Sequence, residues 1–375
     1  MSHLKSAAII ILSVLFIPGA CSATQVGAFD LKVLGSVYET YDDNITYAQT
    51  NIKDDWITNA KIGLLAKYEG KTESLEFLGN VVHHDYMDNS NFNNTSEDLS
   101  LSAKKEFSPY ERAILSDTFT HAEEPSSFED EFGRTSGRYS YYRNRFNIAF
   151  SKDLSKEFTL IGRYLNDYDA YSGSGHSDSF QNRIGFEGDY IISSHTTVFG
   201  AYDFYQREFD PGSSATTNSL SVGARQYFSS QLFLDANTGV DFIKSYNNKD
   251  YTKPHFTASL TDDFDETTRL TLAYDKRYYT NSSTQDLFNY WQTSLKFTRR
   301  VSARLGASAS GFYGKGTYEA FNITDTLKGA SAGLSYDIKE NIKGTLSYSY
   351  SKTTSNIASR GYDRNVVSTG VTVEF

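Results

Sequence analysis

From Phe29 to the C-terminus the chain alternates apolar and polar side chains in long runs broken by short polar connections. A period of two belongs to a strand whose two faces meet different media. In the run 55–68, Trp56, Thr58, Ala60, Ile62, Leu64 and Ala66 fall on one face, and Asn59, Lys61, Gly63 and Lys67 on the other. The turn 69–72 follows, and the next run places Leu75, Phe77, Gly79 and Val81 on the apolar face with Glu76 and Asn80 opposite. The same rhythm predicts strands over 29–42, 55–68, 73–86, 95–107, 111–122, 139–151, 156–169, 179–191 and 195–209. It continues over 217–228, 231–245, 251–262, 266–280, 285–299, 302–318, 325–337, 341–353 and 362–375, about eighteen strands in all.

Strands of a soluble sandwich usually run about five or six residues, and these run past the roughly ten that cross a bilayer obliquely. Tight connections such as 107–110, 152–155 and 338–340 alternate with looser ones, the longest being 123–138. Pro109, Pro125 and Pro211 fall in connections, where a missing N–H leaves no ladder bond broken. Two further segments set the medium. Residues 1–23 read as a secretory signal: Lys5, then an apolar stretch too short to span, then Cys21-Ser22-Ala23 before the expected cut. Gly19-Ala20-Cys21 also has a partial lipoprotein-box pattern, with Pro18 where such a box wants an aliphatic residue. At the other end Ser368, Gly370, Val373 and Phe375 resemble the C-terminal assembly signal of bacterial outer-membrane barrels, with Val373 where an aromatic is common. An exported chain without a long apolar helix crosses a membrane only as a closed barrel, since lipid satisfies no backbone hydrogen bond. The reading is therefore an all-β, antiparallel, up-and-down transmembrane barrel in the Gram-negative outer membrane. It spans residues 24–375 as one domain, with the even strand number such barrels have and both termini periplasmic.

Composition agrees once the barrel is assumed. The mean hydropathy of -0.49 suits a wall with one wet face. Tyr (28) and Phe (26) are abundant, as strands and interfacial girdles require. Cys21 is the one cysteine of the sequence, which excludes disulfides and cysteine–metal sites from a mature unlipidated chain. A net charge of -10 argues against nucleic acid as a partner. The expected partners are outer-membrane lipid and lipopolysaccharide and the barrel-assembly machinery.

An eighteen-stranded barrel is wide enough for an aqueous channel. Its expected lining carries Arg143, Arg145, Arg163 and Arg183 at similar heights, with Glu187, Asp189, Asp203 and Asp235 on neighbouring strands and Arg277 further on. Late strands line it with Gly306, Ser308, Ser331, Gly333, Ser335, Thr345, Ser347 and Ser349. Such a wall either orients a polar or anionic solute by its field or simply pairs its charges to keep the lumen wet. No nucleophile elbow or phosphate loop is present. Of His83 and His84 only one can face inward, and His255 has no Ser or Asp partner at a telling spacing. Tyr41-Asp42-Asp43-Asn44 and the run 85–89 read as solvated strand ends rather than a calcium loop. No catalytic residue, metal or cofactor is assigned, and the expectation is a protein that is not an enzyme.

The segment Tyr41-Asp42-Asp43-Asn44-Ile45, near the mature N-terminus, resembles the opening of the family described as "Putative beta-barrel porin 2", whose hairpins then run to a terminal Phe. That resemblance implies an outer-membrane porin, with export of exopolysaccharide as its function and periplasmic polysaccharide-export proteins as partners. The sequence keeps open a general or sugar- or anion-diffusion porin, for which only 123–138 is long enough to fold inward. It also keeps open a barrel hydrolase around His84 and a secreted sugar-binding β-protein.

Overall fold

The computed structural model describes residues 24–26, 28–123, 138–172, 177–210, 212–281 and 285–375. Its long strands are β1 (Phe29–Asp42), β2 (Asp55–Glu69), β3 (Glu73–Tyr86), β4 (Asn94–Ser108), β5 (Glu111–Ala122) and β6 (Tyr141–Asp153). Next come β7 (Phe158–Tyr171), β8 (Ser179–Ser193), β9 (Thr196–Phe209), β10 (Ser213–Tyr227), β11 (Leu232–Lys244) and β12 (Asp250–Asp265). The last are β13 (Thr268–Thr280), β14 (Leu287–Arg300), β15 (Leu305–Tyr318), β16 (Ile323–Lys339), β17 (Ile342–Ser355) and β18 (Tyr362–Glu374). Each pairs antiparallel with its sequence neighbour, and β18 pairs with β1 from Val366↔Asp42 to Glu374↔Leu34, so the sheet closes into an eighteen-stranded barrel. A three-residue strand, Thr24–Val26, adds to the start of β1. The expected signal segment 1–23 lies outside the described residues.

The predicted strands and the observed ones coincide to within a few residues. The larger shifts have local causes. β10 begins at Ser213 rather than 217, because pairing with Glu208 and Phe209 extends a stretch that has no apolar alternation. β12 runs on to Asp265 through a bulge at Asp263/Asp265.

The outward face is a band of exposed aliphatics, including Ile62 (62% exposed), Leu220, Leu272, Leu334 and Leu346. Exposed aromatics flank it: Phe107, Tyr110, Tyr190, Phe228 and Phe264 near the tight turns, and Trp56, Tyr142, Tyr168, Tyr202 and Tyr313 toward the loops. Two aromatic girdles around an apolar belt define a lipid-facing surface. At the turn end three connections share one device. Ser155, Ser229 and Ser302 each accept two backbone N–H groups of their own turn through Oγ, from residues 157 and 158, 231 and 232, and 304 and 305. The apolar residue before each serine, Leu154, Phe228 or Val301, stays exposed.

Closure depends on the seam between β1 and β18. Phe375 N donates to Val33 O (2.8 Å) and Val33 N to Phe375 O (3.1 Å), so the last residue extends the ladder. Gly370 lies opposite Tyr38, and a Cβ there would overlap Tyr38 Cβ and the Val37 carbonyl. At the loop end side chains take over. The Arg364 guanidinium meets the Asp42 carboxylate through Nη2 (2.5 Å) and Nε (3.0 Å), and Asp43 accepts from Asn365 N and Nδ2. Asn44 Nδ2 donates to Asp363 O (2.9 Å), and the Tyr47 ring packs edge-on against Tyr362 (5.4 Å). The expectation of solvated ends at Asp42 and Asn44 is thus corrected, since both are fully buried. Their partners come from the far end of the chain, out of reach of a local reading.

Breaking a buried ion pair by removing one member costs about 3–5 kcal/mol. Arg364→Met is expected to lower barrel stability by about that amount, read as an earlier urea midpoint for loss of the compact, unboiled gel band. Gly370→Ala is expected to reduce the folded fraction through overlap with β1. A variant that unfolds at the wild-type midpoint would remove the seam lock from the account.

Candidate functional site

Alternation turns one side chain in two inward, and register then decides which charges meet. On β6 and β7, Arg143 lies opposite Asp169 and Arg145 opposite Asp167. Asp169 receives Arg143 Nε (2.8 Å), Arg145 Nη2 (2.9 Å) and, from β9, Arg207 Nη1 (3.3 Å). Arg207 and Asp169 are each only 1% exposed. Below them Arg163 meets Glu187 (2.8 Å), and Arg183 grips Asp203 through Nη2 and Nε (both 3.0 Å). Gly185 stands between Arg163 and Asp203 on the neighbouring strands. A Cβ there would overlap the Asp203 carboxylate, so only glycine leaves that approach open. Further toward the turn end Arg225 meets Asp235 (2.6 Å), and across the lumen wall, nearer the loop end of β13, Arg277 meets Asp275 (2.7 Å).

All the sequence-selected lining residues (Arg143, Arg145, Arg163, Arg183, Glu187, Asp203, Asp235 and Arg277) therefore sit on the inner wall in ion pairs. The expectation of a common height is corrected. Pairing sets Arg143, Arg145 and Arg183 opposite Asp169, Asp167 and Leu165, with Arg163 a step lower on β7, so the arginines form a descending stair. Asp167, Asp169 and Arg207, which hold the upper step, went unselected. The signal available for them was their inward parity beside Arg143 and Arg145.

Two adjoining cavities follow this wall, of about 830 Å³ and 500 Å³, and both are lined by Glu187, Phe199, Asn237, Thr257, Arg277 and Tyr279. The wall formed by β15–β17 differs. Ser308, Ser310, Ser331, Thr345, Ser347 and Ser349 point inward and stay exposed, because nothing bulky stands before them.

Packed side chains narrow the loop end. Ile45 is fully buried against Ile57 and Tyr86, with Phe92 beside them. The Arg138 guanidinium lies 4.8 Å from the Phe92 ring and donates to Tyr86 Oη (2.8 Å). Gln285, in left-handed backbone (φ 61°), donates through Nε2 to Ser177 Oγ (2.8 Å) and accepts from Ser213 Oγ (2.7 Å). It thereby ties three connections across the mouth. Asp286 accepts from the N–H groups of Leu287, Ala320 and Phe321. Burial pushes its carboxyl up, against the pull of those donors. The long connection expected to fold inward is described only at its ends, where Arg138 reaches Glu123 (3.5 Å), and residues 124–137 lie outside the described residues. Among the described residues the inward packing comes from 43–54, from Phe92, from Arg138 at the end of that connection, and from Gln285 and Asp286.

The histidines are held by neighbours. His84 bonds Asn59 (2.6 Å) and Ser96 (2.9 Å) inside the lumen. His255 meets Asp241 (3.0 Å), correcting the expectation that it lacked such a partner, because β11 supplies the acid across the ladder. His121 lies between Glu97 (2.5 Å) and Ser140 (3.4 Å) on the outward rim, but the Ser140 N–H is donated to Ser172 Oγ rather than toward a substrate. Among the described residues no group of three or more metal-ligating side chains occurs.

The geometry is that of an outer-membrane β-barrel of the porin and transporter type. Residues 255–375 match the family model described as "Putative beta-barrel porin 2", the family that the opening segment also resembles. No curated protein matches the chain. Among solved structures, the apoprotein of the FrpB iron transporter from Neisseria meningitidis (F5-1 variant) aligns at 9% identity and TM-score 0.52, over 94% of this chain and 82% of that one. OccK2 (OpdF) from Pseudomonas aeruginosa aligns at 10% identity and TM-score 0.51, over 92% and 98%, and its complex with glucuronate does so equally. At these identities the likeness is one of fold.

Asp169→Asn leaves three guanidiniums without their shared carboxylate and is expected to cost about 3–5 kcal/mol in urea unfolding. Asp167→Asn is expected to cost less, because its arginine contacts are longer, 3.4 and 3.8 Å. Equal effects would contradict the assigned hierarchy. Gln285→Ala removes the tie across the mouth and is expected to raise single-channel conductance in planar bilayers. Unchanged conductance would show that the tie does not restrict flow.

Proposed function

We propose that the chain is a water-filled outer-membrane porin, its loop end facing outside and both termini periplasmic, that exports an exopolysaccharide. The single observation that carries this reading is the exposed arc of serine, threonine and glycine on β15–β17. Small hydroxyls exchange hydrogen bonds with sugar hydroxyls, and the arc has no charge to trap a passing chain. The opposite wall holds most of its charge in pairs, so the lumen stays hydrated without one dominant sign. The family match over residues 255–375, which includes that arc, favours a porin. On this reading the barrel is inserted by the assembly machinery through its terminal Phe375 strand and meets periplasmic polysaccharide-export proteins at its turn end.

A second reading is diffusion of a small acidic sugar. Arg225 (51% exposed) and Arg277 (44% exposed) favour it, since each keeps part of its guanidinium open to the larger cavity. OccK2 has been solved with glucuronate, a ligand of that chemistry.

The two readings separate in one set of measurements. Deletion of the gene is expected to abolish surface polysaccharide while uptake of small sugars is unchanged; the reverse pattern would favour diffusion. In planar bilayers the protein is expected to conduct, with long neutral glycans interrupting the current. Arg225→Gln combined with Arg277→Gln leaves Glu187, Asp189, Asp235 and Asp275 in excess around the cavity. The reversal potential is then expected to move toward cations, with the cation-to-anion permeability ratio rising severalfold. A protein that never conducts would contradict both readings.

A further inference from the structure

We propose that the loop-end outward rim of β13–β17 is a binding site for a phosphorylated, multiply acylated glycolipid of the outer leaflet. The alternation that turns Leu272, Tyr313, Leu334 and Leu346 to the lipid also turns out Lys276, Lys315, Lys328 and Lys352. Register gathers them into two adjacent rows. In one row Lys276 and Lys315 flank Trp291. In the other, Tyr313, Lys328 and Lys352 stand side by side and end on Asp363. At about 4.8 Å between strands, the four ammonium groups spread over roughly 19 Å of rim.

Lys352 pairs with Asp363 (2.8 Å). Lys276, Lys315 and Lys328 make no ion pair among the described residues. Like charges directly opposite each other on a sheet repel, and Lys328 faces Lys352 directly. An anion seated on Lys328 and Lys352 removes that repulsion, and its further charge reaches the Lys276–Lys315 row. The rings beside the lysines, Trp291 with Tyr274 (6.3 Å) and with Tyr313 (5.7 Å), mark the level where headgroup meets acyl chain. A ligand seated here therefore presents phosphates to the lysines and acyl chains to the aliphatic band below. Another side of the barrel carries the opposite sign. The corresponding outward rim of β1–β5 carries Glu39, Asp85, Glu97 and Asp117. The inference depends on the loop end lying in the outer leaflet and is independent of the cargo.

The test uses the purified full-length barrel in neutral detergent, with binding followed by native mass spectrometry and thermal unfolding. The probes are lipid A, enzymatically dephosphorylated lipid A and inorganic phosphate. Lipid A is expected to bind and raise the unfolding temperature, while the other two do neither. The triple variant K276Q/K315Q/K328Q is expected to lose at least tenfold in lipid A affinity, whereas K343Q at the turn-end rim keeps it. Raised salt supplies a readout on the wild type alone, and binding must weaken steeply. Equal binding of the dephosphorylated lipid, salt-indifferent binding, full affinity in the triple variant, or stabilisation by inorganic phosphate alone would overturn the proposal. Loss of lipid A binding with conductance intact would leave the porin reading in place.

Discussion

A strand in hydrocarbon has nowhere to put an unpaired N–H or C=O, and the chain meets that constraint by joining its two ends. Everything else about the barrel follows from this closure. The seam does not rest on its backbone ladder alone. Where the β1–β18 pairing ends, the Asp42–Arg364 pair, the Asp43–Asn365 contacts and the Tyr47–Tyr362 rings continue the junction toward the loops. Glycine at 370 lets the strands approach, and the terminal Phe375 completes the last bonds. The family-like segment at the start of the chain and the assembly-like tail at its end are thus two halves of one junction.

Closure also fixes what the interior can be. With one side chain in two turned inward, the lumen inherits the polar half of every strand, and register sorts it. The β6–β13 wall becomes a stair of arginine–carboxylate pairs, buried at the top and more open below. The β15–β17 wall stays small and hydroxylated. Buried charges without partners would be prohibitive. Pairing is therefore what allows so many ionisable groups to stand around one lumen, and among the described residues it leaves Arg225 and Arg277 partly exposed to a solute. The inward-packed mouth adds a restriction by steric means, with Ile45 and Gln285 narrowing a passage that eighteen strands alone would leave wide.

Much of this was legible because it is local. The period of two marked the strands, their faces and the inward arginines, and the tail with its glycine and terminal Phe marked the closing strand. The remainder depends on which strand lies beside which and at what offset. Asp42 reads as a solvated strand end until Arg364, 322 positions away, is placed against it. His255 looks unpartnered until register brings Asp241 across. Gln285 sits in a short connection that length alone would never select, and its reach to Ser177 and Ser213 exists only once the ring is closed. The outward lysines interrupt an otherwise apolar face one residue at a time, and their gathering into two rows is again a property of register.

The central claim is a closed wall with water on one face and lipid on the other. The sequence has a single cysteine, Cys21, so cysteines can be placed one at a time along β16 and β17 in a Cys21→Ser background. The decisive measurement is their labelling by a bulky, membrane-impermeant maleimide in reconstituted vesicles. The account predicts a strict alternation, with Ser331, Ser335, Ser347 and Ser349 positions reacting quickly and Leu334, Leu346 and Tyr348 positions protected. Uniform labelling of both parities, or protection of the serine positions, would contradict it.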